Sequence, residues 1–101
     1  MASYRMDDGT VIKTENASKK WGDASDWDGS NHISRATKSQ WVDQDLYRSR
    51  RGRYYLETWP RIDGQMPRAE WISNRAAAAW LLANDHEIPE ELREVAEEIS
   101  E

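Results

Sequence analysis

Four arginines and four large aromatic side chains lie within fourteen residues of this chain, in the stretch LYRSRRGRYYLETW from Leu46 to Trp59. Arginine is suited to planar, bidentate and stacking contacts with carboxylates, phosphates and aromatic rings. Arginine, tryptophan and tyrosine are also the residues that most often dominate the binding energy of protein interfaces. The composition of this stretch therefore indicates a surface that binds a macromolecule.

The candidate binding residues are the arginines of this stretch and the aromatic side chains that strand alternation brings to one face. They are Arg48, Arg50, Arg51, Arg53, Tyr55, Trp59 and Trp71. We favour another protein as the partner, and a homodimer is possible. Nucleic acid is the alternative, with the arginines on phosphates and a tyrosine stacked on a base. An exposed hairpin tip that binds nothing would also carry charge, because charge keeps sheet edges from pairing.

No pattern in the sequence supports catalysis or metal binding. The two histidines, His32 and His86, lie in polar segments without a metal-binding spacing, and cysteine is absent, so we expect both imidazoles to be solvated. The run Asp23, Asp26, Asp28 lacks the central glycine and terminal glutamate of an EF-hand loop. Phosphate-binding loops and nucleophile elbows are also absent. We expect no enzymatic activity, no cofactor and no metal.

The composition predicts one small soluble domain with an aromatic core. The 101 residues include six Trp and four Tyr but no Phe, and 33% are charged. A core built from Trp and Tyr brings polar atoms that need partners. The absence of cysteine, of an apolar N-terminal segment and of a run long enough to span a membrane predicts a cytoplasmic protein without membrane contact.

Charge is distributed unevenly along the chain, whose net charge is −5. Residues 31–70 carry eight Lys and Arg against five Asp and Glu, whereas residues 71–101 carry two against eight. The acidic balance argues against a DNA-binding domain. The C-terminal glutamates are typical of a solvated helix face, although they offer a surface for a basic partner or a mimic of nucleic acid. They are Glu90, Glu91, Glu94, Glu97, Glu98 and Glu101.

The arginine-rich stretch is predicted to be a β-hairpin with one of two registers. A two-residue turn at Arg51-Gly52 would pair Leu46 with Glu57. A three-residue loop with Gly52 in a left-handed bulge would instead pair Leu46 with Leu56 and Tyr47 with Tyr55. We prefer the second register because it pairs like with like. A core this small is expected to leave one face of the hairpin uncovered for binding.

The hairpin is followed by a third strand, RAEWIS (Arg68 to Ser73), after a turn-rich connection with Asp63-Gly64 at its centre. Ser73 then caps a helix that Asn84 ends as a left-handed stop. Its buried residues are predicted to be Ala76, Ala77, Trp80 and Leu81. Pro89 begins a second helix, with Ile88, Leu92, Val95, Ala96 and Ile99 at helical spacing.

Residues 1–40 are predicted to be an irregular N-terminal arm of the same domain, and residues 41–101 the meander and two helices. A short strand near Thr10 to Lys13 follows the turn pair Asp8-Gly9. The segment Ala17 to Gln40 shows no helical or alternating period. Trp21 and Trp27 are predicted to anchor it to the domain. The fold class is thus α+β: a three- to four-stranded antiparallel meander with two C-terminal helices on one face.

The segments DGSNHIS, SQW, LYRSRRGRYYLETW, AEWIS and AAAWLLANDHEIPEEL, within residues 28–93, resemble those of a set of small bacterial proteins of unknown function. Such proteins are often found on plasmids or in other mobile regions. The resemblance implies a compact, stand-alone bacterial protein of accessory function. It also implies a third possibility by class analogy, an acidic inhibitor of a defence nuclease of the anti-CRISPR or anti-restriction kind.

Overall fold

The computed structural model of the protein describes residues 3–22, 25–27, 32–34, 42–60 and 66–100, of which 25–27, 32–34 and 42 are described by their backbone alone. It confirms the α+β fold, with an antiparallel sheet and two C-terminal helices. The strands are β1 (Ser3–Arg5), β2 (Val11–Lys13), β3 (Lys19–Gly22), β4 (Ser25–Trp27), β5 (His32–Ser34), β6 (Val42–Arg48), β7 (Tyr54–Pro60) and β8 (Arg68–Ile72), and the helices are α1 (Asn74–Ala83) and α2 (Arg93–Ile99).

The β6–β7 hairpin is the centre of a four-stranded sheet in the order β3-β6-β7-β8. Leu46 pairs with Leu56 and Tyr47 with Tyr55, so the predicted register is confirmed. Gly52 has φ 89° and its amide donates to the Ser49 carbonyl at 2.9 Å. A residue at this φ is strained unless it is glycine, which explains why the three-residue loop ends there.

Ser73 caps the N-terminus of helix α1, and its hydroxyl accepts a hydrogen bond from the Ala76 amide at 3.0 Å. The left-handed residue at its end is Asp85, with φ 58°, and not Asn84 as predicted. The Asp85 amide donates to the Leu82 carbonyl and the His86 amide to the Leu81 carbonyl. These are the two hydrogen bonds of a Schellman motif. Asn84 is instead buried, and its side-chain amide donates to the Trp80 carbonyl at 2.9 Å.

The helices cover the face of the sheet that carries Leu46, Tyr54 and Leu56. The second helix begins with a 3₁₀ turn, Glu90–Leu92, and continues as α2. The buried positions of α1 are Ala77, Ala78, Trp80 and Leu81, so Ala78 is buried where Ala76 was predicted. This core contains Trp21, Leu46, Tyr54, Leu56, Ala77, Ala78, Trp80, Leu81, Leu92 and Ala96.

The prediction of irregular structure does not hold at β3. Lys19–Gly22 pairs antiparallel with β6 and adds an edge strand to the meander. Trp21 reaches the core beneath the helices, as an anchor should, and lies 6.1 Å from the ring of Tyr54. The following residues also form a hairpin, β4 paired with β5. The side chain of Trp27 lies outside the described residues, as does the predicted Asp63-Gly64 turn.

The face of the hairpin that was expected to be uncovered is buried by the N-terminal residues. Strands β1 and β2 form a separate hairpin around the Asp8-Gly9 turn. Its Met6 and Ile12 side chains pack with Tyr47 and Tyr55 in a second core cluster. Sequence periodicity missed this because each strand of the covering hairpin has only three residues.

Both helices of the described residues are short: α1 has ten residues and α2 has seven. Neither has the length and apolar character that crossing a bilayer requires.

Leu81 and Leu82 provide a matched test of the helix-facing core. Leu81 is 0% exposed and Leu82 is 38% exposed. We expect Leu81→Ala to lower the free energy of unfolding by about 2–5 kcal/mol, because the leucine leaves a cavity. We expect Leu82→Ala to change it by less than about 1 kcal/mol, because this side chain is partly solvated in the native state. Urea unfolding measures both, and equal losses would contradict the placement of α1.

Candidate binding groove at the hairpin tip

The tip of the β6–β7 hairpin exposes three of the four arginines, Arg50, Arg51 and Arg53. The loop that Gly52 closes places Arg50 and Arg51 at its outermost positions, and both side chains are exposed. Neither makes an ion pair or hydrogen bond with another residue in the described part of the chain. Two cations without a counterion therefore project from one turn.

Arg48 is used by the fold rather than left free for a partner. Its Nε lies 3.1 Å from Glu91 Oε1, and its Nη1 donates to the Ser18 hydroxyl at 3.0 Å. Glu91 also accepts a hydrogen bond from the Tyr54 hydroxyl at 2.8 Å, which lowers the pKa of the Glu91 carboxyl. Arg48 thus links the sheet to the turn before α2 and to the start of β3.

Arg53 connects the β6–β7 hairpin to the β1–β2 hairpin. Its Nη1 donates to Asp8 Oδ2 at 3.0 Å, and its guanidinium lies 3.8 Å from the centre of the Trp71 ring. A guanidinium stacked on an indole is held by cation–π attraction as well as by its ion pair. Hydrogen bonds from Thr10 first, and then from Arg53, hold the pKa of the Asp8 carboxyl well below its usual range.

A groove of about 540 Å³ lies beside the arginine tip. One wall is the β2 strand with the residues that precede and follow it, and the other wall is the hairpin loop. Tyr55 and Trp71 also line it. The lining residues are Thr10, Val11, Ile12, Lys13, Asn16, Ala17, Ser49, Arg50, Arg51, Arg53, Tyr55 and Trp71. The groove thus combines cations with aromatic side chains.

Tyr55 is locked in place and presents almost no surface. It is 1% exposed, stacks on Tyr47 at 5.0 Å and meets Trp71 edge-on at 5.7 Å. Its hydroxyl has no hydrogen-bond partner among the described residues. Burial, followed by the charge of Glu57, raises the pKa of Tyr55 to about 12. Tyr55 therefore lies beneath the groove rather than on an open binding face.

Trp59 shares the Tyr55 face but lies outside the groove. It is 40% exposed, near the far end of β7, and its Nε1 donates to Glu57 at 2.9 Å. The structure thus brings Arg50, Arg51 and Arg53 together with Trp71. Arg48 is occupied on the helix side, and Trp59 is separate from them.

A buried carboxylate, Glu57, was not predicted from the sequence. It is 1% exposed and accepts hydrogen bonds from the hydroxyls of Tyr4, at 2.5 Å, and Tyr47, at 3.1 Å, and from the Trp59 indole. Tyr4 belongs to β1, so this cluster fastens the N-terminal hairpin to the sheet. The available signal was strand alternation, which places Glu57 on the same face as Tyr55 and Trp59.

His86 is not the solvated histidine that was predicted. Its Nε2 lies 2.6 Å from the Gly22 carbonyl, and its ring stacks on Trp80 at 5.9 Å. It therefore connects the end of α1 to β3. The side chains of His32 and Asp26 lie outside the described part of the chain, as do Asp23 and Asp28 altogether. Among the residues that are described, no three His, Asp or Glu side chains gather to hold a metal ion.

The tyrosines predict how the protein responds to alkali. Burial is the first cause that raises the pKa of Tyr4, Tyr47, Tyr54 and Tyr55 above the ordinary value of 10.0. Each therefore contributes stability that is present below pH 10 and is lost as pH rises toward the higher folded pKa. We expect phenolate absorbance to appear together with loss of the near-ultraviolet dichroism, above pH 10. A non-cooperative rise centred on pH 10 in a folded protein would contradict this.

Replacement of Glu57 by glutamine, which has nearly the same shape, is predicted to lower the stability of the protein. In Glu57→Gln the amide oxygen can still accept from Tyr47 and from the Trp59 N–H, but the amide nitrogen replaces the oxygen that accepts from the Tyr4 hydroxyl, and hydrogen bonds to a charged acceptor become weaker bonds to a neutral amide. We expect the free energy of unfolding to fall by about 1–3 kcal/mol. Glu70→Gln, an exposed position on the neighbouring strand, should change it by less than about 0.5 kcal/mol. Urea unfolding of the two variants decides, and equal stabilities would show that Glu57 does not secure the β1–β2 hairpin.

Comparison with known proteins adds no further assignment. No family model, curated protein or solved structure matches the chain. The resemblance to small bacterial proteins of mobile regions therefore stays a prediction.

Proposed function

We propose that this is a non-enzymatic binding protein of the cytoplasm that recognises another protein through the groove at its hairpin tip. The observation that carries the proposal is that Arg50 and Arg51 are exposed at the rim of the groove and have no counterion among the residues that the structure describes. Folding has no evident use for them, whereas Arg48 and Arg53 both bind carboxylates of the chain. Arginine at the edge of an aromatic-lined site is a frequent centre of binding energy.

The division of the arginines favours a protein over a nucleic acid. A nucleic-acid site needs a series of cations along the phosphate backbone. Of the four arginines near the tip, only two have no carboxylate partner in the described part of the chain. The nucleic-acid alternative requires a tyrosine of the stretch to stack on a base, but Tyr47, Tyr54 and Tyr55 are all buried.

The acidic C-terminal helix supports no separate function. Glu94, Glu97 and Glu98 are exposed, which is the ordinary state of a solvated helix face. Inhibition of a defence nuclease, which the resemblance implies, thus rests on no observation of the described residues.

A photo-crosslinker in the groove tests the proposal. Val11 is 63% exposed and lines the groove, so benzoylphenylalanine at this position leaves the arginines intact. We expect a discrete adduct in the native host that resists nuclease and is digested by protease. Its yield should fall at least about tenfold in Arg50→Ala/Arg51→Ala, because two charge-assisted contacts are lost.

The matched control is Arg75→Ala/Arg93→Ala, which removes the same charge from exposed positions on the helices. The control should keep the adduct. An adduct that nuclease removes, together with steeply salt-dependent binding to oligonucleotides, would show that the partner is nucleic acid. An adduct with equal yield in both double variants would show that the groove is not the site.

A further inference from the structure

We propose that the groove binds an extended acidic segment of the partner, which adds to the open edge of β2 as a third strand. This inference rests on the proposed function and specifies the partner's chemistry and its mode of binding. Among the described strands, β2 pairs with β1 alone, so its other edge has no strand beside it. An edge strand with unpaired amides and carbonyls is a template for strand addition.

The open edge of β2 faces the groove. The lining residues include the consecutive run from Thr10 to Lys13 but none of the β1 residues Ser3–Arg5. The groove therefore lies on the side of β2 away from its partner strand. The opposite wall carries Arg50 and Arg51, so an occupant would be held between a backbone edge and two cations.

The hairpin's own hydrogen bonds show which backbone groups remain for an occupant. The Met6 amide donates to the Thr10 carbonyl at 2.7 Å, which marks Met6 and Thr10 as a hydrogen-bonded pair. Such pairs alternate along antiparallel strands. Ile12 is therefore bonded to Tyr4, its partner in the register. The amides of Val11 and Lys13 and the carbonyl of Val11 consequently point away from β1 and toward the groove. The Lys13 carbonyl caps the 3₁₀ turn Thr14–Asn16 that follows β2 and accepts the first hydrogen bond of that turn.

The charge and size of the groove select the occupant. Lys13, Arg50, Arg51 and Arg53 line it, and none of its lining residues, all in the described part of the chain, is Asp or Glu. An acidic segment complements these cations. In an extended chain alternate side chains point in opposite directions, so apolar residues between the acids can face Trp71, which lines the groove and is only partly buried. A volume of about 540 Å³ suits a few residues, since ligand sites span about 300–1,000 Å³.

The test uses a fluorescent peptide of alternating Glu and Val with blocked ends, and two versions of it. One version is N-methylated at every Glu and the other at every Val. In an added strand only one of these two sets of amides faces β2. We expect the parent peptide and one methylated version to bind alike and the other to bind at least about tenfold more weakly. Arg50→Ala/Arg51→Ala should weaken the parent at least about tenfold, and Arg75→Ala/Arg93→Ala less than about twofold.

Amide hydrogen exchange supplies the second readout. The Val11 and Lys13 amides should become protected when the peptide binds, whereas the Ile12 amide, already bonded to β1, should change little. This alternation distinguishes strand addition from general attraction of an anion to the arginines.

Other outcomes overturn the inference in distinguishable ways. If both methylated peptides bind as well as the parent and Val11 and Lys13 stay unprotected, strand addition is wrong while the protein-binding function stands. The same holds if no peptide binds but the Val11 crosslink to a protein persists. If a thymidine decamer displaces the peptide and binds more tightly, both proposals fail. If the protein self-associates through Arg50 and Arg51, the occupant is a second copy and not an acidic partner.

Discussion

The β6–β7 hairpin carries large side chains on both of its faces, and the fold depends on burying both of them. Leu46, Tyr54 and Leu56 lie on one side, and Tyr47 and Tyr55 lie on the other. A sheet with apolar groups on both faces is stable in water only when each face is removed from solvent. Two short helices cover the first of these faces, and the β1–β2 hairpin, with two three-residue strands, covers the second.

The β1–β2 hairpin is a small cover for the Tyr47 and Tyr55 face of the sheet, and its small size has two consequences. Tyr and Trp bury polar atoms, so the cover is secured by hydrogen bonds as well as by packing, through the Glu57 cluster and the Arg53–Asp8 pair. The cover also ends before the hairpin tip. The groove is the space between the open edge of β2 and the loop that carries Arg50 and Arg51. The candidate site is thus a direct result of covering a long hairpin with a short one.

The arginines near the tip illustrate why composition alone does not define a binding site. Arg48 and Arg50 are two positions apart in the chain, yet Arg48 binds Glu91 while Arg50 projects into solvent. Arg53 lies against Trp71 of β8 and Asp8 of the β1–β2 turn, both distant from it in sequence. Whether an arginine is free depends on carboxylates that the fold brings near, and those lie about forty residues away on either side.

The local features of this protein were determined by its sequence. The register of Leu46 with Leu56, the Gly52 loop, the Ser73 cap and the α+β class follow from turn chemistry and periodicity over a few neighbouring residues. The tertiary structure alone decided that β3 joins the sheet, that β1–β2 buries Tyr55, and which arginines remain free. Those outcomes depend on contacts between residues far apart in the chain. A three-residue strand is too short for its pattern of apolar and polar residues to predict which strand or surface it packs against. Its position is set by the apolar surface that it covers.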